Sequence, residues 1–170
     1  MSPLGRRAPA SVRSRLGRGE RVLAHAPVAA PAGDEAALVA TTDALYLPDG
    51  RAVRWRDIDR ARWSTEALTF IEEGAGERTV ALRSGPAAVD YRRLAEAVSE
   101  RVTATILVNR FVPFPRPDST TGFRLVARRD PGGTEISWRI HLGEGVDEQD
   151  PRLSDAVSRA LELLHDQMGV

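Results

Sequence analysis

From Arg21 onward the apolar positions fall in short runs separated by turn residues at close, even spacing, the pattern of an all-β sandwich or barrel. Seven strands are predicted, over Arg21 to Pro27, Ala36 to Thr41, Ala44 to Leu47, Ala52 to Trp55, Ile58 to Trp63, Ala67 to Glu72 and Arg78 to Arg83. The breaks between them carry turn chemistry. Pro31 and Gly33 punctuate the first connection, Pro48-Asp49-Gly50 suits a tight hairpin, and Gly74 and Gly76 tolerate positive φ. After Gly85-Pro86 the period changes: Tyr91, Leu94, Ala95, Val98 and Val102 share one helical face, giving a helix able to cap an open barrel. The stretch from Thr103 to Val112 is β-branched and apolar and predicts a strand.

Pro113, Pro115 and Pro117 alternate, which fixes φ and removes amide donors at every second position, so an extended connection is expected there. A hairpin follows, turning at Asp130-Pro131-Gly132-Gly133. Ile136, Trp138, Ile140 and Leu142 alternate on one of its faces. Phe123, Leu125 and Ala127 point inward on the facing strand, with Arg124 and Arg128 outward, so this sheet needs cover on one side only. A last helix supplies it, with Asp150 as N-cap, Pro151 in the first turn, and Leu153, Val157, Ala160, Leu161 and Leu164 as the buried stripe.

The segments ERVLAHA, VATTDALYL with its Thr41-Thr42-Asp43 corner, and VRWRDIDRARW, in this order and followed by the helix, make residues 20–102 resemble the PH-like superfamily, including GRAM-like and bacterial PH-like domains. The resemblance implies a non-catalytic binding module built as an antiparallel β-barrel capped by a helix. Phosphoinositide-binding relatives place basic residues around the first strand-to-strand loop. Here that loop, Val28 to Asp34, holds an acid and no cation, so a phosphate would find no partner. What remains of the family's habits is recognition of a protein segment beside the capping helix or along a sheet edge. The expected organisation is a basic arm over 1–19, a PH-like domain over 20–102, and an extension of strand, hairpin and helix over 103–170. The fold class is α+β.

Composition narrows the chemistry. The chain has 170 residues, 42% of them hydrophobic and 28% charged, enough to bury a core in one domain or two small ones. Its 24 basic and 24 acidic side chains leave no net charge, so no summed field draws the molecule to nucleic acid or acidic lipid. All basic residues are Arg, in a chain rich in Ala, Gly and Pro, as GC-rich codons favour. The absence of Cys excludes disulfides, thiolate metal sites and thiol nucleophiles. The N-terminal residues lack the apolar core of a signal peptide, and no stretch reaches the length of a membrane span, which gives a cytoplasmic expectation.

Few residues stand out as candidate sites. Arg54, Arg56, Arg60 and Arg62 alternate with Trp55 and Trp63, so within each strand the arginines lie opposite the tryptophans. Such a basic ladder could track a nucleic-acid backbone, but Asp57, Asp59 and Glu66 lie close enough in sequence to make it a salt-bridged surface. Trp138 is the other candidate contact residue. His25, His141 and His165 are scattered, with no metal-binding spacing. The carboxylates between Gly143 and Asp150 do not follow a calcium loop and suit the positive end of the last helix. No nucleophile elbow, Walker sequence or dinucleotide fingerprint occurs, so no catalytic residue, metal or cofactor is assigned.

The expected partner is a protein segment or a second copy of the chain, met along a sheet edge or helix groove. A rival reading uses Arg6, Arg7, Arg13, Arg15 and Arg18 of the N-terminal arm to grip nucleic acid or an anionic membrane; the i, i+4 spacing of Val12 and Leu16 allows a short helix that lays one edge on the domain, and the plain expectation for that arm is a frayed, solvated terminus. A third reading is an enzyme, which would need a deep apolar pocket with convergent polar groups.

Overall fold

The computed structural model describes residues 7–29, 36–83 and 91–169, so the expected breaks at Pro31 and Gly33 and at Gly85-Pro86 lie outside the described residues, as does most of the acid-bearing first loop. The fold is α+β, with three small antiparallel sheets and three α-helices among the described residues. The chain divides into two compact units, one formed by Met1–Thr105 with Asp130–Thr134 and the other by Ile106–Arg129 with Glu135–Val170. No helix is long and apolar enough to cross a membrane among the described residues.

In the first unit, β1 (Val22–Pro27), β2 (Ala37–Thr41), β3 (Ala44–Tyr46) and β4 (Ala52–Arg54) form a four-stranded meander in that order. A second sheet of three strands follows, β5 (Ile58–Trp63), β6 (Ala67–Glu72) and β7 (Gly76–Ala81). Between them Trp55–Asp57 makes a single 3₁₀ turn instead of prolonging β4. Inward residues of both sheets, among them Ala24, Leu38, Leu45, Val53, Leu68 and Phe70, share one core with Trp55 and with Leu94, Val98 and Val102 of α2 (Tyr91–Ala104). Of the predicted stripe, Leu94, Val98 and Val102 are buried and Tyr91 is partly buried against them, with Ala97 rather than Ala95 beside them. The helix also ends later than predicted: the strand expected from Thr103 starts at Ile106, because the helix runs on to Ala104. There the buried Thr105 hydroxyl donates to the Val102 carbonyl at 2.7 Å, satisfying one of the helix's last acceptors.

The expected closed barrel is not found. The two sheets meet at two corners without a continuous ladder. At one, Val28 bridges Leu82, and the amides of Ala29 and Arg83 donate to Ala81 and Pro27. At the other, the 3₁₀ turn separates β4 from β5, and the Glu73 amide, which donates to the Asp57 carbonyl at 2.9 Å, extends the β5–β6 pairing one step past Ile58 without joining the first sheet. Ion pairs reinforce this second corner. Arg51 holds the buried Glu72 carboxylate bidentately at 2.6 and 2.8 Å, and Arg78 approaches it at 3.1 Å.

The Arg51 hydrogen bonds, with the charges of Arg51 and Arg78, hold the Glu72 pKa below its usual value against the opposing effect of burial. A depressed carboxylate stabilises the fold above its unfolded pKa, and that contribution is lost as pH falls through the folded value. Glu72→Gln is therefore expected to lose about 1–2 kcal/mol at neutral pH, a hydrogen-bonded charge discounted for the exposed Arg51. The gap to wild type should begin to narrow as pH falls through the ordinary Glu range, about 4.3, and vanish once Glu72 is protonated in the folded state as well. A gap in urea unfolding that is unchanged from about pH 7 to about pH 3 would contradict this assignment.

The N-terminal arm is not frayed over its described part. Ala8 and Val12 are buried, with Leu16 beside them, against Ala37, Val39, Ala44 and Tyr46 on the outer face of β2 and β3. The short helix α1 (Ala10–Arg13) carries Val12 into this contact, and all five residues of β2 are consequently buried. Glu20 anchors the segment. One carboxylate oxygen accepts from the Thr41 hydroxyl, and the other accepts from the Gly17 amide at 2.8 Å and the Tyr46 hydroxyl at 3.2 Å. Burial, and then the neighbouring Glu20 charge, raise the pKa of Tyr46. Two of the arm's arginines donate within the unit itself, Arg13 to the Ala8 carbonyl and Arg15 to the Gly50 carbonyl.

The second unit is a three-stranded antiparallel sheet in the order β10 (Ile136–Leu142), β9 (Gly122–Arg129), β8 (Ile106–Pro113), with α3 (Pro151–Met168) on one face. Phe123 and Leu125 of β9, Phe114, and Leu153 and Leu164 of α3 make its buried core. Asp150 caps α3 by accepting from the Arg152 amide at 2.9 Å, and Gly169 ends it in the left-handed conformation at φ 69°. The proline-rich connection is not simply extended. Pro113 still belongs to β8, the Phe114-Pro115 peptide is cis, and Phe114 and Thr121 exchange hydrogen bonds that close the loop. Burial is not confined to the α3 side of this sheet: Val126, Arg128 and Arg139, on its other face, are buried too, where Arg128 is expected to point outward. Both arginines have interaction partners there, which the alternation of residue types does not announce.

Candidate interaction surface

Backbone pairing in the second unit defines what its sheet offers to a partner. The Gly143 amide donates to the Gly122 carbonyl at 2.9 Å, continuing the β9–β10 ladder. Antiparallel strands alternate their backbone groups between the two sides. Ser137, Arg139 and His141 therefore turn their backbone toward β9, while Ile136, Trp138, Ile140 and Leu142 turn theirs to the open side. Since β10 is terminal in the sheet, these outward amides and carbonyls meet no other strand among the described residues.

The side chains of the same residues lie on the α3 face, opposite Ala127, Leu125 and Phe123 in register. The helix covers them unevenly. Trp138 is half-buried, its ring 5.2 Å from that of His165. Ile140 and Leu142 remain 46% and 37% exposed. An open strand edge and exposed apolar side chains thus coincide along one line.

The opposite edge differs. β8 carries a register shift between Ile106 and Val108 and ends in Pro113, which has no amide to donate. Bulges and prolines are the devices that discourage edge pairing. On the face away from α3, Phe111, Arg124 and His141 form one cross-strand row. Arg124 donates to Asn109 at 2.8 Å and its guanidinium lies 5.9 Å from the centre of the Phe111 ring.

The four candidate arginines do not form one ladder. Arg54 ends β4 and Arg56 lies in the 3₁₀ turn, where its Nε is 3.3 Å from Asp130. Arg60 and Arg62 share the outer face of β5, pairing with Ile71 and Thr69 of β6, and Arg62 is 3.1 Å from Glu77. Trp55 is wholly buried, and Trp63 is partly buried, edge-on to Tyr91 with ring centres 5.4 Å apart. His25, His141 and His165 lie on β1, β10 and α3. No group of three or more potential metal ligands occurs among the described residues. Of the carboxylates before α3, Asp147 accepts from the Gln149 amide and Asp150 caps the helix.

Of the β10 residues the sequence marks Trp138 alone as a candidate contact, while the alternation of Ile140 and Leu142 predicts an apolar face of the strand. Only the sheet order, with β10 outermost, shows that the helix leaves them open. Comparison with family models, with curated proteins and with solved structures finds no match.

Proposed function

We propose that the chain is a non-catalytic, cytoplasmic binding module with a PH-like first unit, and that it works by engaging a protein segment or a second copy of itself through a sheet edge. The observation that carries this reading is the β10 edge, where backbone groups that meet no other strand among the described residues and exposed Ile140 and Leu142 lie together. The PH-like part is supported by the order of elements: four strands, then three, then a helix whose Leu94, Val98 and Val102 enter the core common to both sheets. The N-terminal arm is a weaker basis for nucleic-acid or membrane binding, since Arg13 and Arg15 donate to backbone carbonyls within the unit.

The test is affinity capture and crosslinking of the full chain in extract of its native cells, with a carboxylate-directed reagent because the chain has no Lys. The expected result is a defined protein partner or the chain itself, retained in about 0.5 M salt, where surface charge contacts are screened within a few ångströms. Recovery of neither, or of nucleic acid released by salt, would overturn the reading.

A further inference from the structure

We infer that residues 8–19 act as a strap over β2 and β3 that opens as one piece while the core beneath stays folded, with Glu20 as its latch. The device lies in the first unit and does not depend on binding at the β10 edge.

The strap is lightly attached. Ala8 and Val12 are its buried side chains, with Leu16 partly covered. Among the described residues no backbone hydrogen bond joins it to a strand: the amides of Val12, Arg13, Ser14 and Arg15 all donate to carbonyls of the strap itself. Its helix, α1, is a single turn of four residues with no side-chain cap. Isolated helices shorter than about 12 residues do not persist in water, so leaving the sheet and unravelling are one event.

The sheet below does not need this cover to hold together. Leu38, Ala40 and Leu45 turn to the opposite face of β2 and β3 and enter the core shared with α2. A segment with few buried apolar groups, laid on strands that are packed independently of it, belongs to the parts of a protein that open before the whole unfolds. Opening presents Ala37, Val39, Ala44 and Tyr46, a face that the closed form hides.

Two polar ties fix the strap among the described residues. Arg15 donates to the Gly50 carbonyl at 2.9 Å, at an exposed position where water competes. Glu20 makes the stronger tie. One of its oxygens accepts from the Thr41 hydroxyl of β2; the other accepts from the Tyr46 hydroxyl of β3 and from the Gly17 amide of the strap. A single charged group thus joins the end of the strap to both strands, and hydrogen bonds to an ionised acceptor are the strong ones. Gln at this position would keep one acceptor oxygen and set an NH₂ donor where the other must accept.

The chain has no Cys, so one thiol placed beneath the strap reports its opening. Ala44→Cys lies under the strap, and Ala40→Cys lies in the main core. In the full chain, dithionitrobenzoate should label Ala44→Cys well before Ala40→Cys. Adding Glu20→Gln should speed the first about tenfold or more and leave the second unchanged. Hydrogen exchange of the unsubstituted chain gives a reading free of any variant: the amides of Val12, Arg13, Ser14 and Arg15 should exchange together, ahead of those of β2, β3 and α2. Equal labelling of the two thiols, or strap amides that exchange only when α2 does, would overturn the strap. Labelling of Ala44→Cys unmoved by Glu20→Gln would overturn the latch. Equal acceleration of both thiols by Glu20→Gln would make Glu20 a support of the whole unit and overturn its local role.

Discussion

Trp55→Ala is expected to lose about 4–8 kcal/mol, enough to unfold a marginal domain. Trp55 is fully buried between the two sheets of the first unit, and the 3₁₀ turn that interrupts β4 places it there. Removing the indole leaves a large cavity, typically costing about 3–5 kcal/mol for a buried aromatic. It also removes the donor at 3.1 Å from the Thr41 carbonyl, and a buried acceptor left without a partner costs about 1–3 kcal/mol more. Trp55→Phe keeps most of the ring and should lose roughly half as much. Urea unfolding followed by far-ultraviolet circular dichroism measures both. A Trp55→Ala variant within about 1 kcal/mol of wild type would refute the placement of this side chain.

Phe123→Ala should cost about 3–5 kcal/mol, felt in the second unit. Phe123 lies on the central strand of a small sheet, opposite Val112 on one side and Leu142 on the other, with its ring centre 6.4 Å from that of Phe114. The core it belongs to contains five buried side chains among the described residues, of which Phe123 and Leu125 are the most deeply enclosed, so little remains to collapse into the vacancy. Hydrogen exchange should accelerate most at amides of β8, β9, β10 and α3, whose shared apolar core the substitution empties. Acceleration confined to β1 through β7 would contradict the separation of the two cores.

Much of the fold is legible in the sequence where one local signal suffices. β5 and β6 have the expected bounds, and α3 begins at Pro151 after the Asp150 cap, because a Pro at the first helical position and an Asp before it act locally. The Thr41-Thr42-Asp43 corner is readable for a similar reason. The Thr41 hydroxyl accepts from the Asp43 and Ala44 amides, and the Thr42 hydroxyl accepts from the Arg21 amide.

What stays hidden depends on distant partners. The i, i+4 spacing of Val12 and Leu16 allows a short helix laid on the domain, but nothing in it states that β2 and β3 are the strands it covers. Trp55 reads as the end of a strand, although the chain turns there. β7 begins at Gly76, earlier than Arg78, because the turn after Glu72 is tighter than its glycines suggest. The candidate surface is half legible: the Ile136–Leu142 alternation marks a strand with one apolar face, but its place at the sheet margin follows from pairing, not from residue type.

The segment anchored by Glu20 has a consequence for how the chain reaches its native state. Ala37, Val39, Ala44 and Tyr46 form a greasy stripe on a sheet whose opposite side already seals the main core. During synthesis the covering residues leave the ribosome first and their docking site follows, so the stripe need never wait uncovered. Cutting away residues 7–20 would leave a molecule able to assemble the core shared by its two sheets and α2 yet prone to clump in solution.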